Sequence, residues 1–301
     1  MERQLFRKNK QECFSILYKK SSNEPNCAIH FAHATGFNAS TYSSLLLKLS
    51  EYSDVYAMDL RGHGETQAIA VPSAHTSWQI YADDITSLTH NIDKPLVLMG
   101  HSMGAIASLS SALESTADIR SLILIEPVLP APFMSFALRL GKSLGLTRYL
   151  PIVKGAKRRK ANFNSKEDAF SNYKNRGAFK TWPDSYLKNY IAGGFKSTKI
   201  GCELNCSPEW ESWTFSTVSH DSWKKIAKLN IPLTVICGGK NSTTSRQSIH
   251  TLRTLDKDIK VIEIEEASHF LPMEYEDRLV EELKKHLSEI PDKLGVSERV
   301  L

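Results

Sequence analysis

The sequence predicts an α/β protein built on a mostly parallel sheet with crossover helices, and three observations carry that reading. Short aliphatic and β-branched runs alternate with amphipathic ones along most of the chain, the pattern of strand–helix–strand units. One apolar run, Pro95–Met99, stops abruptly on Gly100-His101-Ser102-Met103-Gly104 and gives way to the small-residue helix start Ala105-Ile106-Ala107. After Ile125 the alternation breaks for about a hundred residues and then resumes near Leu233, as an insertion between two strands would make it do.

Taken in order, strands are predicted near 3–7 and 13–19, then over Ala28–His33, Val55–Asp59, Leu96–Met99, Ser121–Ile125, Leu233–Cys237 and Lys260–Ile264. Each is a short run rich in aliphatic, β-branched or aromatic residues. Helices are predicted over Ser40–Ser50, Ser77–His90, Ala105–Ser115, Ser245–Leu255 and Glu274–Leu287. The two sets interleave so that each strand is followed by a helix. The interrupted stretch reads as helical and loop-rich, with no clear strand before its last part. The expected organisation is therefore a core of residues 1–126 and 226–301, with a helical cap of residues 127–225 over the carboxyl end of the sheet, where ligands bind in open α/β folds.

With 301 residues, 41% of them hydrophobic and 24% charged, the chain can bury a large core. Its start, Met1-Glu2-Arg3-Gln4-Leu5-Phe6-Arg7-Lys8, lacks the apolar stretch of a signal peptide, and no run reaches membrane-spanning length. Cys13, Cys27, Cys202, Cys206 and Cys237 are odd in number and scattered. They suit reduced thiols in a cytoplasm better than a disulfide framework. Cys202 and Cys206 have a ligand-like spacing, but no second Cys/His pair lies at zinc spacing, so no metal is expected.

The net charge of +5 is unevenly spread, since residues 127–225 hold 17 Lys/Arg against 7 Asp/Glu. Its densest run is Lys154-Gly155-Ala156-Lys157-Arg158-Arg159-Lys160. Such a run is either a solvated face or a landing surface for an acidic partner or an anionic substrate, an acyl carrier being the candidate partner. No nucleic-acid motif accompanies it, and a nucleic-acid partner is not expected.

The Gly-x-Ser-x-Gly turn between strand and helix has the chemistry of an exposed nucleophile. So tight a turn pushes its central residue into a strained backbone region and leaves no room for side chains at the flanking glycines. Ser102 then stands at a helix N-terminus, where the dipole favours a developing negative charge. A serine needs a base, and in chain order the base comes last, after the final strand. His269, in Glu265-Glu266-Ala267-Ser268-His269-Phe270-Leu271, occupies that place. His286 reads as a solvated residue of a terminal helix, His30 as a core-strand residue and His101 as the variable residue of the turn. Oxyanion donors are expected from the backbone N–H groups of Met103 and of Thr35, in His33-Ala34-Thr35-Gly36-Phe37. Asp59-Leu60-Arg61-Gly62-His63-Gly64 reads as a tight structural turn and lacks the Lys and Ser/Thr of a phosphate loop.

The acid that orients the base is where the sequence departs from expectation. An aspartate is usual just after the strand ending at Cys237, and this chain has Asn241 there. An amide can orient an imidazole but cannot stabilise the imidazolium by charge. The other location is the end of the strand following the nucleophile helix. Leu122-Ile123-Leu124-Ile125 ends on Glu126, and a carboxylate directly after four buried aliphatics is costly unless it is paired. Glu126 is the favoured acid, with Asn241, Glu209 and Glu211 as the other candidates.

The ordered motifs His33–Phe37, Asp59–Gly64, Gly100–Gly104 and His269 resemble those of the α/β-hydrolase superfamily, over nearly the whole chain. The resemblance implies an eight-stranded core sheet with a helical cap, a Ser102 nucleophile, a His269 base and no cofactor. The His33–Phe37 segment is similar to the oxyanion loop of pimeloyl-carrier-protein methyl ester esterases, with Ala34 where glycine is usual. The position of Glu126 is similar to the acid position of haloalkane dehalogenases, which use an aspartate nucleophile where this chain has serine. The segment Gly201-Cys202-Glu203-Leu204-Asn205-Cys206-Ser207-Pro208-Glu209 resembles one in the caps of a broad hydrolase subgroup and names no substrate.

The expected activity is that of a cytoplasmic serine carboxylesterase acting on a small-molecule ester through an acyl-enzyme. The alternatives are a thioesterase or methyl-ester esterase on carrier-bound acyl groups, a C–C hydrolase or acyltransferase, and a non-catalytic receptor. Among the cap's large side chains Phe133, Phe136, Leu138, Tyr149, Trp182, Tyr186 and Trp210, most are expected in the cap core and some along an acyl pocket. Oligomeric state has no signal in the sequence.

Overall fold

The computed structural model describes residues 1–255 and 258–290; the end of the second expected core segment, 291–301, lies outside them. The chain opens with a hairpin of β1 (Glu2–Arg7) and β2 (Cys13–Lys19), closed by the Lys8 N–H on the Glu12 carbonyl, and continues to β3 (Ala28–Ala32). No helix separates these three strands, so the expected strict alternation fails at the start. The reason is that β2 runs antiparallel to both of its neighbours, and an antiparallel step needs only a turn.

Alternation then holds through α1 (Ser43–Leu49), β4 (Asp54–Met58), α2 (Gln79–Thr89), β5 (Leu96–His101), α3 (Met103–Glu114) and β6 (Ile119–Ile125). The segment after β6 forms α4 (Pro132–Ser143), α5 (Pro151–Lys157), β7 (Asn162–Phe163), α6 (Lys166–Tyr173), α7 (Asp184–Gly194), β8 (Phe195–Thr198), β9 (Gly201–Leu204), α8 (Pro208–Ser216) and α9 (Ser222–Lys228). The expectation of no clear strand before the last part of this segment is corrected here. Strands β7, β9 and β8 pair antiparallel in a small sheet, but with two to four residues each they are too short to show a period of two. Helix α9 straddles residue 225 and packs its Ile226 with Leu109 of α3. The chain closes with β10 (Leu233–Gly238), α10 (Arg246–Thr254), β11 (Ile259–Ile264), α11 (Leu271–Glu274) and α12 (Glu276–Ser288).

The main sheet has eight strands in the order β1-β2-β4-β3-β5-β6-β10-β11, parallel except for β2. Its central strands are covered on both faces, which is why they read as unbroken apolar runs. Ile29 and Phe31 of β3 pack with Leu45 and Leu49 of α1 and Leu279 and Leu283 of α12. Ala28 and Ala32, pointing the other way at the strand's period of two, join the clusters of Ile106 and Leu109 of α3. His286 corrects another expectation. It is buried in α12, hydrogen-bonded to the hydroxyls of Ser121 (2.7 Å) and Thr234 (3.0 Å).

Candidate active site

The site forms at the carboxyl ends of β3, β5, β6 and β10. At the turn from β5 into α3, Ser102 has φ 59° and ψ −117°, a region non-glycine residues avoid and strained sites retain. The flanking glycines make the turn possible. A Cβ on Gly100 would sit 2.4 Å from the Gly104 carbonyl oxygen, and one on Gly104 would sit 2.3 Å from the Ala32 carbonyl oxygen. Helix α3 thus rests directly on the backbone of β3, and Ser102 is held at the point of the turn by its N–H on the Ile125 carbonyl (3.0 Å).

His269, on the loop after β11, places Nε2 3.0 Å from Ser102 Oγ and Nδ1 3.1 Å from Glu126 Oε2. Glu126, the residue after β6, is fully buried with φ 46°. Its oxygens accept the Gly238 N–H (2.5 Å), the Ser242 hydroxyl (2.8 and 3.0 Å) and the Thr243 N–H (3.1 Å). Those donors come from the end of β10 and its following loop, so the carboxylate is charged, buried and paired, as burial requires. The Thr243 hydroxyl lies 3.0 Å from the carbonyls of Glu126 and Pro127 and 3.1 Å from His269 Nδ1. With its one proton directed to those carbonyls, it accepts from the imidazole. Nδ1 therefore carries the ring proton, and Nε2 presents a lone pair to Ser102.

The other candidate acids are not brought to the base. Asn241 is exposed in the loop after β10, with φ 47°. Glu209 is exposed in the first turn of α8. Glu211 is buried in the same helix and takes both of its hydrogen bonds, at 2.9 Å, from Nη1 of Arg159.

Two backbone N–H groups at the predicted places are without hydrogen-bond partners among the described residues. Thr35 lines the cavity beside Ser102, and its N–H has no hydrogen-bond partner among the described residues. Met103 is buried at the first position of α3, where no intrahelical partner exists for its N–H. The loop carrying Thr35 is fixed by neutral histidines. The Gly36 N–H donates to His63 Nε2 (3.0 Å), while His63 Nδ1 donates to the Arg61 carbonyl (2.9 Å). The Leu60 N–H donates to His33 Nε2 (2.9 Å). Burial holds His33 down to about 4 and His63 to about 3, so both accept from backbone donors at neutral pH.

Sequence reasoning missed a second hydrogen-bonded chain. The Ala34 N–H donates to the Tyr42 hydroxyl (3.2 Å), which donates to His101 Nδ1 (2.7 Å), and His101 Nε2 donates to the carbonyl of His269 (2.8 Å). Burial first, then the neighbouring His269, hold His101 well below the usual imidazole range. Its neutral ring ties the loop of Thr35, the nucleophile turn and the backbone of the base together. The only sequence signal was a histidine at the variable position of the turn.

These groups open into a cavity of about 860 Å³, lined by Phe37, Trp78, Leu138, Phe179, Phe215 and Phe270 among others. Over Gly36 lies the Arg159–Glu211 pair. The Arg159 guanidinium also donates to the hydroxyls of Tyr173 (3.3 Å) and Tyr190 and stacks on the Tyr173 ring at 5.2 Å. The expectation for the aromatic residues of the inserted segment is met in part. Leu138 lines the cavity, and Trp182, Tyr186 and Trp210 are buried. Phe133, Phe136 and Tyr149 instead face solvent. Cys202 and Cys206 are buried, and among the described residues no group of three or more His, Cys, Asp or Glu side chains could hold a metal ion.

The sequence model of the "Alpha/beta hydrolase family" matches residues 31–282. Over 120 residues the chain is 28% identical to monoglyceride lipase of Rattus norvegicus, covering 38% of this chain and 39% of that one. Over 109 residues it is 26% identical to the pimeloyl-[acyl-carrier protein] methyl ester esterase of Proteus mirabilis, covering 36% and 40%. The matched region thus spans about two-fifths of the length of these relatives. Among solved structures, E-2-(acetamidomethylene)succinate hydrolase superposes with a TM-score of 0.77 at 17% identity, covering 95% of this chain and 99% of that one.

Proposed function

The chain belongs to the alpha/beta hydrolase family, and from that premise we propose that it is a serine hydrolase cleaving carboxylic esters through an acyl-enzyme. The observation that carries the reading is the unbroken line Ser102 Oγ, His269, Glu126, with steps of 3.0 and 3.1 Å, opening into a mostly apolar cavity. His269 Nε2 takes the Ser102 proton as Oγ attacks the ester carbonyl carbon, and the buried Glu126 carboxylate stabilises the imidazolium. The Thr35 and Met103 N–H groups hold the oxyanion, aided by the N-terminus of α3. The imidazolium then gives its proton to the departing alkoxide. Water, deprotonated by the same nitrogen, releases the acid and restores Ser102 Oγ–H. The segment between β6 and β10 acts as the cap, and the apolar lining suits a hydrophobic acyl or alcohol group. The five cysteines are free, which fits residence in a reducing cytoplasm.

The test is a panel of p-nitrophenyl esters of rising acyl length, run on the wild type and Ser102→Ala, with fluorophosphonate labelling in parallel. Wild type should hydrolyse the esters and be labelled at Ser102, and Ser102→Ala should do neither. Turnover of acyl thioesters but not oxygen esters would replace this reading with a thioesterase. Absence of labelling and of turnover would overturn it.

A further inference from the structure

Helix α4 is twelve residues long and buries only Ser135. A helix in a globular protein ordinarily buries a stripe at i, i+3, i+4 and i+7; this one presents its stripe outward. Phe133, Phe136, Leu140 and Leu144 follow that spacing and are 62, 70, 52 and 62% exposed. The face continues into Leu146, Tyr149 and Ile152. Eight of the fourteen large hydrophobic residues exposed among the described residues fall within Phe133–Ile152, so this is one patch and not the scatter of single apolar residues that any surface carries.

Charge identifies the occupant. From Pro127 to Lys166 the sequence has nine Lys/Arg and no Asp or Glu. Arg139, Arg148, Lys154, Lys157 and Arg158 are exposed, and none pairs with a carboxylate among the described residues. Cations and apolar groups share one surface, since Arg148 and Lys154 lie 4.9 and 5.5 Å from the centre of the Tyr149 ring. Exposed aliphatic and aromatic groups fringed by unopposed cations match an anionic bilayer surface, where the apolar side chains enter the headgroup boundary and the cations meet lipid phosphates and carboxylates. An acidic carrier protein would use the cations but has no need of the outward-facing phenylalanines and leucines. The patch also reaches the cavity, because Leu138 of the same helix, Leu150 and Ile152 line its edge.

We propose that the α4–α5 face docks on an anionic lipid surface and that the cavity takes its ester from that surface. The docking stands on the patch alone, and the second clause rests on the esterase reading above. Among the described residues no helix is long and apolar enough to cross a membrane.

The experiment is co-sedimentation of the full chain with vesicles of phosphatidylcholine alone and with about a third phosphatidylserine. Wild type should bind the anionic vesicles and release them as salt rises from about 0.1 to about 0.5 M. Phe133→Ser combined with Phe136→Ser should weaken binding about tenfold or more, and each of Lys154→Gln and Lys157→Gln by about fivefold. All these variants should hydrolyse a short soluble ester at the wild-type rate, which shows that they fold. Failure of the wild type to bind anionic vesicles overturns the docking, as does binding that the phenylalanine variant leaves unchanged. Capture of a purified acidic acyl-carrier protein in place of vesicles also overturns it. Ser102→Ala should bind vesicles like wild type while losing hydrolysis of a vesicle-borne ester. If that variant still hydrolyses it, the esterase reading fails and the docking stands; if the wild type hydrolyses the soluble ester but not the vesicle-borne one, the source of the ester is refuted.

Discussion

Replacing Glu126 by glutamine changes one atom and one charge, and the hydrogen bonds around it fix the consequence. One carboxylate oxygen receives the Gly238 N–H and the Ser242 hydroxyl, and the other receives the Thr243 N–H and His269 Nδ1. A glutamine amide must turn its NH2 to one side or the other. Facing His269, the NH2 donates to Nδ1, moves the ring proton to Nε2 and leaves no base for Ser102. Facing Gly238, it opposes a backbone donor and leaves a neutral oxygen beside the imidazole. The first orientation abolishes the base, and the second removes the charge that stabilises the imidazolium. Loss of an orienting carboxylate costs about ten-thousandfold in kcat, or about 5 kcal/mol. The unmatched donor adds about 1–3 kcal/mol of instability. The assay is p-nitrophenyl ester turnover together with urea unfolding, with Asn241→Ala as the control at the more usual position. Glu126→Gln keeping more than about a tenth of wild-type kcat, or Asn241→Ala losing as much, refutes the assignment.

Three further outcomes follow from contacts already described. Tyr42→Phe strands the Ala34 N–H and His101 Nδ1, so stability should fall by about 1–3 kcal/mol and kcat should drop with KM unchanged; an unaltered kcat would show that the Tyr42–His101 chain does not position the site. Arg159→Met leaves Glu211 buried without its partner and should cost about 3–5 kcal/mol in urea unfolding, most of it recovered by adding Glu211→Leu. His30 is buried in β3 with neither ring nitrogen hydrogen-bonded, and burial holds it down to about 4. The unfolded chain binds a proton there below about 6.5 while the folded one does not, so stability falls as pH drops from about 6.5 toward 4, by about 2 kcal/mol at pH 5. Denaturation midpoints of His30→Leu at pH 7.5 and 5 should show that share of the pH dependence removed, and an unchanged dependence would refute the account.

The parts of the molecule legible in the sequence are those whose physics is local. Gly100 and Gly104 announce the turn because nothing larger fits there. Glu126 stands out because a charge after four buried aliphatics demands partners. Those partners, Ser242 and Thr243, were not found, because hydroxyls in a loop look the same whether they face a carboxylate or water. The Tyr42–His101 chain and the Arg159–Glu211 pair escaped for a related reason. Each joins residues whose proximity is decided by packing between distant segments, here separated by 59 and 52 positions. The aromatic residues of the insertion divided unexpectedly because α4 obeys helical periodicity but turns its apolar stripe away from the protein, and periodicity does not say which way a stripe faces.

Strands β6 and β10 are neighbours, with Ile125 opposite Ile236, although everything from α4 to α9 intervenes between them. Their ends are clasped by the Glu126 carboxylate on Gly238, Ser242 and Thr243. The excursion between them leaves at the carboxyl end of β6 and re-enters at the amino end of β10, where Leu233 lies opposite Leu122, with α9 bringing it back along α3. The partners of the acid come from β10, its following loop and the base, and none from the excursion, so a change there leaves those contacts in place. A chimera grafting a relative's insertion between Pro127 and Ile231 should inherit that relative's preference on this chain's machinery.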